Sequence, residues 1–537
     1  MGKLVRRVRV QASVLAGFRA LVLPCVCAVA VAVCIGCTPR RVMDPNVVTI
    51  AVFASPNNFD PRVGTDEVSQ KVYQLVFDNL LTLDQQLSVA PGLATRWEQP
   101  DDKTYVLSLQ RGVRFHDGHE LTSADVVYTF TTLIDPAFVS ARKGAYALLD
   151  HVEAIDPYTV RFVLKEPSGS FLIQLVLPII PDGAGPELRT HPIGTGPYRF
   201  KSYAVDDRLD LSAFAEYHGG APRNAGIALK IVPDEIMRGL ELKKGTVDVV
   251  VNDLGPDTVE QFREEGLMQI VEAVGTDYAY VWLNLRDPLL VDRRVRQAIG
   301  YAIDRDAIVR YLRRGLAEPA LGVVPPTSWA FAADVFQFTH DPARAQALLD
   351  QAGYRDPDGS GPQPRLRLTL KVSTNEFYRL QAAVIQQQLR QVGIELDVRS
   401  YEFATLSKDV AGGNFQLVTL QWVGISDPDM LRRVFHSKQM PPLGFNRGFY
   451  SNPEVDRLID AATEAKDQDE RKRLYREVQQ RVAEDAPYIS LWYKTNVAVA
   501  QPDLDGIRLT PLAEFTFLKD VKRRQPTQAR GLRPGLP

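Results

Sequence analysis

Residues 366–422 read LRLTLKVSTNEFYRLQAAVIQQQLRQVGIELDVRSYEFATLSKDVAGGNFQLVTLQW, and their hydrophobic period switches repeatedly along that stretch. Leu366, Leu368, Leu370 and Val372 alternate, as one face of a strand does. Phe377, Leu380, Val384, Ile385, Leu389 and Val392 then keep helical spacing, and Gly393 stops that helix. Ile394, Leu396 and Val398 alternate again. A short helix follows to Ala411, Gly412-Gly413 break it, and residues 415–422 form an almost wholly apolar strand. Strands linked through helices require crossovers, which run right-handed and leave a largely parallel sheet covered by helices. The fold class is therefore α/β.

Working outward, Asn452-Pro453 caps a helix with Val455, Leu458, Ile459 and Ala462 inward, and Asp467-x-x-Glu470 caps another with Leu474, Val478 and Val482 as its stripe. Asp292 and Asp304 open two consecutive helices, and Gly315 closes the second. Nearer the amino terminus, residues 48–53 are a compact β-rich run and 68–81 have helical spacing. Tyr105, Leu107 and Leu109 alternate, as do Val160, Phe162 and Leu164, and between them Thr122-x-x-Asp125 begins a helix with a capping-box pattern. Antiparallel strands with one helix predict a small α+β subdomain over about 84–191.

All four cysteines fall in the first 37 residues. A basic start (Lys3, Arg6, Arg7, Arg9), an apolar run from Ala20 to Gly36 and small residues before Cys37 form the layout of a secretion signal. The run is short for a membrane span and contains Pro24, which argues against the alternative of one uncleaved helix. Residues 37–46 read as a polar tether, and 521–537, rich in basic residues, Pro and Gly, as a disordered tail. The leader holds five of the 63 Lys/Arg and none of the 65 Asp/Glu, so the rest of the chain carries 58 against 65, a net charge of −7. That acidic balance argues against nucleic acid. A body without cysteine excludes disulfides, thiolate zinc sites and a thiol nucleophile.

Catalytic and metal motifs fail on inspection. In His116-Asp117-Gly118-His119-Glu120 the Asp-Gly is a turn that separates the two imidazoles, and no His-Glu-x-x-His helix occurs. Asp356-x-Asp358-Gly359 begins like a calcium loop, yet Arg367 stands where a bidentate Glu is needed. Gly194-Thr195-Gly196-Pro197 lacks the third glycine of a dinucleotide turn, and no Gly-x-Ser-x-Gly elbow is present. No catalytic residue, metal or cofactor is predicted.

Open parallel sheets bind ligands beyond the carboxyl ends of their strands. That rule directs attention to residues 423–427, after the last apolar strand. Trp422, Tyr278, Tyr280 and Tyr401 are candidate cleft walls, with plain core packing as the alternative for each. Asp427, Asn446 and Arg447 are candidate polar anchors, Gly424, Ile425 and Ser426 should face the cleft, and Thr65 and Glu67 are further candidates.

The chain resembles the family 5 extracellular solute-binding proteins of ABC importers, which include oligopeptide-, dipeptide- and nickel-binding receptors. The matching segments run in order along it. They are Leu93-Ala94-Thr95-Arg96-Trp97, Leu121-Thr122-Ser123-Ala124-Asp125-Val126, Gly194-Thr195-Gly196-Pro197-Tyr198 and Gly245-Thr246-Val247-Asp248. Val295-Arg296-Gln297-Ala298-Ile299 with Ala302-Ile303-Asp304-Arg305, Tyr450-x-Asn452-Pro453-x-Val455-Asp456 and Glu484-Asp485-Ala486-Pro487 continue the series. Ile35-Gly36-Cys37 is similar to the bacterial lipobox, with Cys34 where Leu is usual, which implies an acylated Cys37.

The resemblance implies a two-lobed periplasmic binding protein fold with an extra subdomain. Lobe I would be 47–83 plus 192–283 plus 497–520, the subdomain 84–191 and lobe II 284–496. It implies a monomer in the cell envelope that closes on a short peptide or similar small solute, then meets a permease and its ATPase. Peptide-binding members resemble one another at Trp-x-x-Asp, where the Asp pairs with the peptide's amino group. Here Ile425 occupies that position and Asp427 stands two residues beyond it. Either Asp427 takes the role or the ligand has no free amino terminus. A non-peptide ligand such as a nickel chelate, a ligand-sensing signalling role, and a secreted hydrolase are the competing readings.

Overall fold

The computed structural model describes residues 44–524 except Ser360. The leader, Cys37, most of the tether and residues 525–537 lie outside the described residues. The chain divides after Val47, and in the first unit the Val47 amide closes a turn on the Asp44 carbonyl (2.9 Å).

The second unit is organised on one mixed sheet of 11 strands. At one end Leu366–Ser373 lies between Ile394–Tyr401 and Leu417–Trp422, parallel to both, as the periodicity predicts. The helices Glu376–Gln391 and Phe403–Ala411 make the crossovers. Ala382, Ile385 and Leu389 of the first pack on Leu368, Leu370 and Leu396 in one core. At the other end Val47–Val52 pairs in parallel with Val249–Val251, and Gly226–Ile231, Arg208–Ala213 and Tyr198–Ala204 extend the sheet. These strands enclose a separate core with the helix Glu67–Val76.

Two long antiparallel strands, Gln269–Leu283 and Tyr488–Ala500, join the ends. Residues 269–274 pair with 495–500, and 278–282 with 488–493. Between those blocks the register slips across Gly275-Thr276-Asp277, opposite Lys494. The slip sits where the strands leave one half of the sheet, beside Val249–Val251, and enter the other, beside Leu417–Trp422. A Cβ on Gly275 would press into the Lys494 carbonyl oxygen, so the backbones meet where only glycine fits.

The subdomain is a four-stranded antiparallel sheet ordered Ala94–Asp101, Thr104–Leu109, Thr159–Leu164, Leu149–Asp156. Tyr105, Leu107, Leu109, Val160, Phe162 and Leu164 are buried in its own core with the helix Ser123–Ile134, whose Thr122–Asp125 capping box is formed. Half-buried polar contacts, centred on the buried Arg62, tie it to the first lobe. Arg62 pairs with Asp60 (2.8 Å) and reaches Thr132 (3.1 Å), Ser140 donates to the Arg62 carbonyl (2.5 Å), and Arg142 donates to the Gly64 carbonyl (3.1 Å). Towards the second lobe its contacts are lighter. The Gly169 amide donates to the Thr463 carbonyl (3.1 Å), the Trp329 amide donates to the Gln86 carbonyl (2.9 Å), and Lys466 pairs with Asp102.

Two expectations are corrected. The helix predicted over 68–81 ends at Val76, because the carboxylate of Asp78 is drawn sideways by Thr195 (2.9 Å), Tyr217 (2.8 Å) and His218 (2.9 Å). The tail expected to be disordered from 521 starts ordered. Lys522–Arg523 pairs with Leu504–Asp505, and Arg523 is ion-paired to Asp248 (2.6 Å) and Asp503 (2.7 Å). A single Arg between two carboxylates is enough to pin those residues.

Gly275→Ala should lower the unfolding free energy by about 2 kcal/mol, the usual cost of forcing atoms into a filled site. Urea denaturation measures it, and a loss within about 0.5 kcal/mol would mean that the Lys494 carbonyl moves aside freely.

Candidate functional site

Three adjoining cavities lie between the lobes and the subdomain, with volumes of about 560 (central), 370 (side) and 630 Å³ (outer), and Ile173 lines all of them. The central and side cavities share Ile173, Val423, Gly424 and Ser426, and the side and outer ones share Ser170, Ile173 and Asp427. Residues 423–427 thus form a partition pointing at Ile173 of the subdomain.

The central cavity is lined by three acids, Glu67, Asp277 and Glu514, and three bases, Lys71, Arg142 and Lys494. Lys71 donates to the Ala513 carbonyl (2.6 Å) and lies 5.2 Å from the centre of the Phe515 ring. Burial lowers its pKa, against the pull of Glu67 and Glu514. Burial pushes the Glu514 carboxyl up, opposed by its hydrogen bond from Thr510. Asp277 accepts the Gly424 amide (2.9 Å) on one oxygen and Gln421 Nε2 (2.9 Å) on the other. Those bonds hold the partition at its turn, where Gly424 has a φ of 65°. Beside Asp277, the buried Thr276 hydroxyl has no hydrogen-bond partner. The Lys494 ammonium makes no hydrogen bond or ion pair with any described residue, although its backbone pairs with Ala317 in the sheet.

The side cavity has Trp422, Met430, Phe445 and Ile173 as apolar walls, and Asp427, Asp429 and Arg433 as charges. Phe445 meets Trp422 edge-on (5.8 Å between centroids). Asp427 accepts the Asp429 amide (2.7 Å), a turn that starts the helix Met430–Phe435. Burial raises the pKa of Asp427, and burial followed by the charge of Asp427 pushes that of Asp429 up to about 6.

The predicted residues divide. Glu67, Gly424 and Ser426 line the central cavity, and Gly424, Ser426, Trp422, Ile425 and Asp427 the side cavity. Others lie elsewhere. Tyr278 is fully buried on Ser490 (2.7 Å) and Tyr280 is stacked on Tyr488 (4.5 Å). Their strand is covered on both faces, so its aromatics fill a core rather than wall a cleft. Asn446 is 0 % exposed and donates to the carbonyls of Phe435, His436 and Tyr450, which makes it a loop brace with nothing left for a ligand. Arg447 lies over the Phe445 ring (5.1 Å), Tyr401 under Lys371 (5.0 Å), and Thr65 is exposed with its carbonyl bonded to Gln70 (2.9 Å). None of these three lines the central or side cavity.

Thr276, Asp277 and Lys494 escape a reading based on periodicity. The one signal for them is Gly275, a glycine inside a β-rich run, which marks a bulge or a close backbone approach.

Residues 88–441 match the model of the bacterial extracellular solute-binding proteins, family 5. The oligopeptide-binding protein AppA of Bacillus subtilis is 28% identical over 486 residues, covering 86% of this chain and 89% of AppA. The glutathione-binding protein GsiB of Salmonella choleraesuis is 30% identical over 490 residues, covering 88% of this chain and 93% of GsiB. The solved structure of AppA in complex with a nonapeptide matches this fold with a TM-score of 0.72 at 27% identity, over 89% of this chain and 99% of that one. The fold is the two-lobed periplasmic binding protein fold, and the chain belongs to family 5 of the bacterial extracellular solute-binding proteins. It is an extracytoplasmic solute receptor.

Asp429 yields a pH prediction. Its folded pKa lies above the unfolded value, so the folded state holds a proton that the unfolded chain has released, and stability falls as pH rises from about 4 to about 6. Asp429→Asn should remove that fall and raise the unfolding free energy at pH 7 by about 2–3 kcal/mol. Urea titrations at pH 4 and pH 7 check it, and equal stability of variant and wild type at pH 7 would show the charge to be fully compensated by the neighbouring arginines.

Proposed function

We propose that this chain captures short peptides, or small solutes built like them, in the central cavity and delivers them to an ABC importer. The observation that carries the reading is that lining of three acids and three bases around about 560 Å³. A cavity of that size suits a small organic ligand. Charges of both signs suit one that is itself charged at both ends. A peptide has an ammonium, a carboxylate and amide groups between, and a buried charge needs an opposite partner. Relatives named for oligopeptide and glutathione binding support the same class. Closure would be a hinge rotation whose open and closed populations the ligand shifts. The lobes would exchange at 275–277 and at 494, inside the long strands rather than at 283 and 496. The reading assigns no catalytic step to this chain.

Acylation of Cys37 would hold the receptor as a monomer beside its permease, since two or more chains anchor stably where one does not. Cys37→Ser should move the protein from the membrane to the soluble fraction of the envelope, as read by fractionation. An unchanged partition would remove the anchor from this account.

Native mass spectrometry of residues 38–537, purified from a bacterial periplasm, tests the ligand class. A ladder of added masses spaced by amino-acid residues is expected. One defined non-peptide mass would overturn the peptide reading. So would an unliganded protein whose melting temperature no di- or tripeptide raises.

A further inference from the structure

Asp427 is poorly placed to receive a ligand's amino group in the central cavity. It lines the side and outer cavities, and one of its oxygens is taken by the Asp429 amide. The strand slip offers a different set of groups. Asp277 has two carboxylate oxygens with roughly four acceptor sites, of which Gly424 and Gln421 occupy two. Lys494 on the facing strand has three donors and uses none on the described residues. Thr276, next to Asp277 in the chain, also lines the cavity; it is 2 % exposed and its hydroxyl has no protein partner. Buried polar groups in folded proteins are nearly always paired, to protein or to water, so this hydroxyl is available to a group that the cavity takes up. The pairing of Tyr278 with Tyr493 immediately beside them puts Asp277 and Lys494 at adjacent positions on neighbouring strands, both facing the cavity.

We propose that the slip at 275–277 is the recognition element for a ligand's paired charges, with Asp277 taking an ammonium, Lys494 a carboxylate and Thr276 a hydrogen bond from or to that group. The shared chemistry is a zwitterion whose two charges lie close together. It has two sources, the two ends of a dipeptide or the α-amino-acid head of a free or γ-linked residue. The inference rests on the peptide reading and deepens it. It also makes the ligand bridge both strands at the point where they pass from lobe to lobe, so occupancy acts directly on the hinge.

Titration calorimetry on the purified protein tests this with dialanine, N-acetyl-dialanine, dialanine amide and γ-glutamylalanine. In wild type, acetylation and amidation should each weaken dialanine binding at least about tenfold, as expected for loss of a charge-assisted hydrogen bond in a dry site. In Asp277→Asn the acetyl penalty should vanish and the amide penalty remain; in Lys494→Met the reverse should hold. Thr276→Val loses no protein hydrogen bond, so it should keep the wild-type melting temperature while weakening dialanine severalfold. That variant guards against Asp277→Asn disturbing the partition. Tighter binding of γ-glutamylalanine than of dialanine assigns the amino-acid head, and the opposite order assigns the two termini. Blocking penalties unchanged in all three variants would overturn the proposal and leave peptide binding intact. If none of the four probes binds wild type, and no other short peptide does, the peptide reading falls and this proposal falls with it.

Discussion

Two strands, Gln269–Leu283 and Tyr488–Ala500, are hydrogen-bonded partners on both sides of the cleft, and the rest of the molecule is arranged around that requirement. A strand pair is stiff where its ladder is regular, and here it must serve two sheets with separate cores. The register slip meets both demands. It places three residues opposite one between the two blocks, and a smaller shift follows between Ala279 and Tyr280. Gly275 lets the backbones touch there, and the bulge turns consecutive side chains, Thr276 and Asp277, towards one cavity. The irregular point of the ladder is also the place where the Lys494 ammonium and the Thr276 hydroxyl have no protein partner.

The charges of the site divide along the same line. In the central cavity bases and acids are equal in number, and burial moves Lys71 and Glu514 each towards its neutral form. In the side cavity two carboxylates two residues apart are both pushed up, and Arg433 approaches Asp429 only at 3.9 Å. The partition 423–427 separates these environments, and Asp277 holds it by one amide hydrogen bond. The long strand Gln269–Leu283 and the partition therefore share a single carboxylate.

Much of this was legible in the sequence where physics is local. The parallel trio at 366–422 follows from alternation and helical spacing, the helix starts from Asp292, Asn452 and Asp467 follow from capping, and the cleft position of 423–426 follows from the rule for strand ends. What was not legible depends on partners remote in the chain. Asp277 and Lys494 face one cavity only because their strands pair across more than 200 residues. The misplacement of Tyr278 and Tyr280 has the same origin, since an aromatic on a strand looks alike whether one face or both are covered. The helix end at Val76 depends on Thr195, Tyr217 and His218, more than 100 residues downstream of Asp78. Asn446 looked like an anchor because its amide is polar, and its carbonyl partners in the loop appear only in three dimensions.

The unequal fastening of the subdomain has a mechanical consequence. Thr132, Ser140 and Arg142 fasten it to the first lobe around the buried Arg62 and the Gly64 carbonyl, whereas Gly169, Gln86 and Asp102 touch across to the second through scattered single contacts. Those light contacts border the outer cavity, whereas the strand slip borders the central one. If closure turns at the slip, the subdomain is a lever arm carried by one lobe, and its contacts with the other lobe are the catch. A catch placed far from a pivot needs little strength, because torque grows with distance while each bond supplies only a small force. Such a door can be held shut by a few single hydrogen bonds and still be pulled open by a partner that grips it near the free edge.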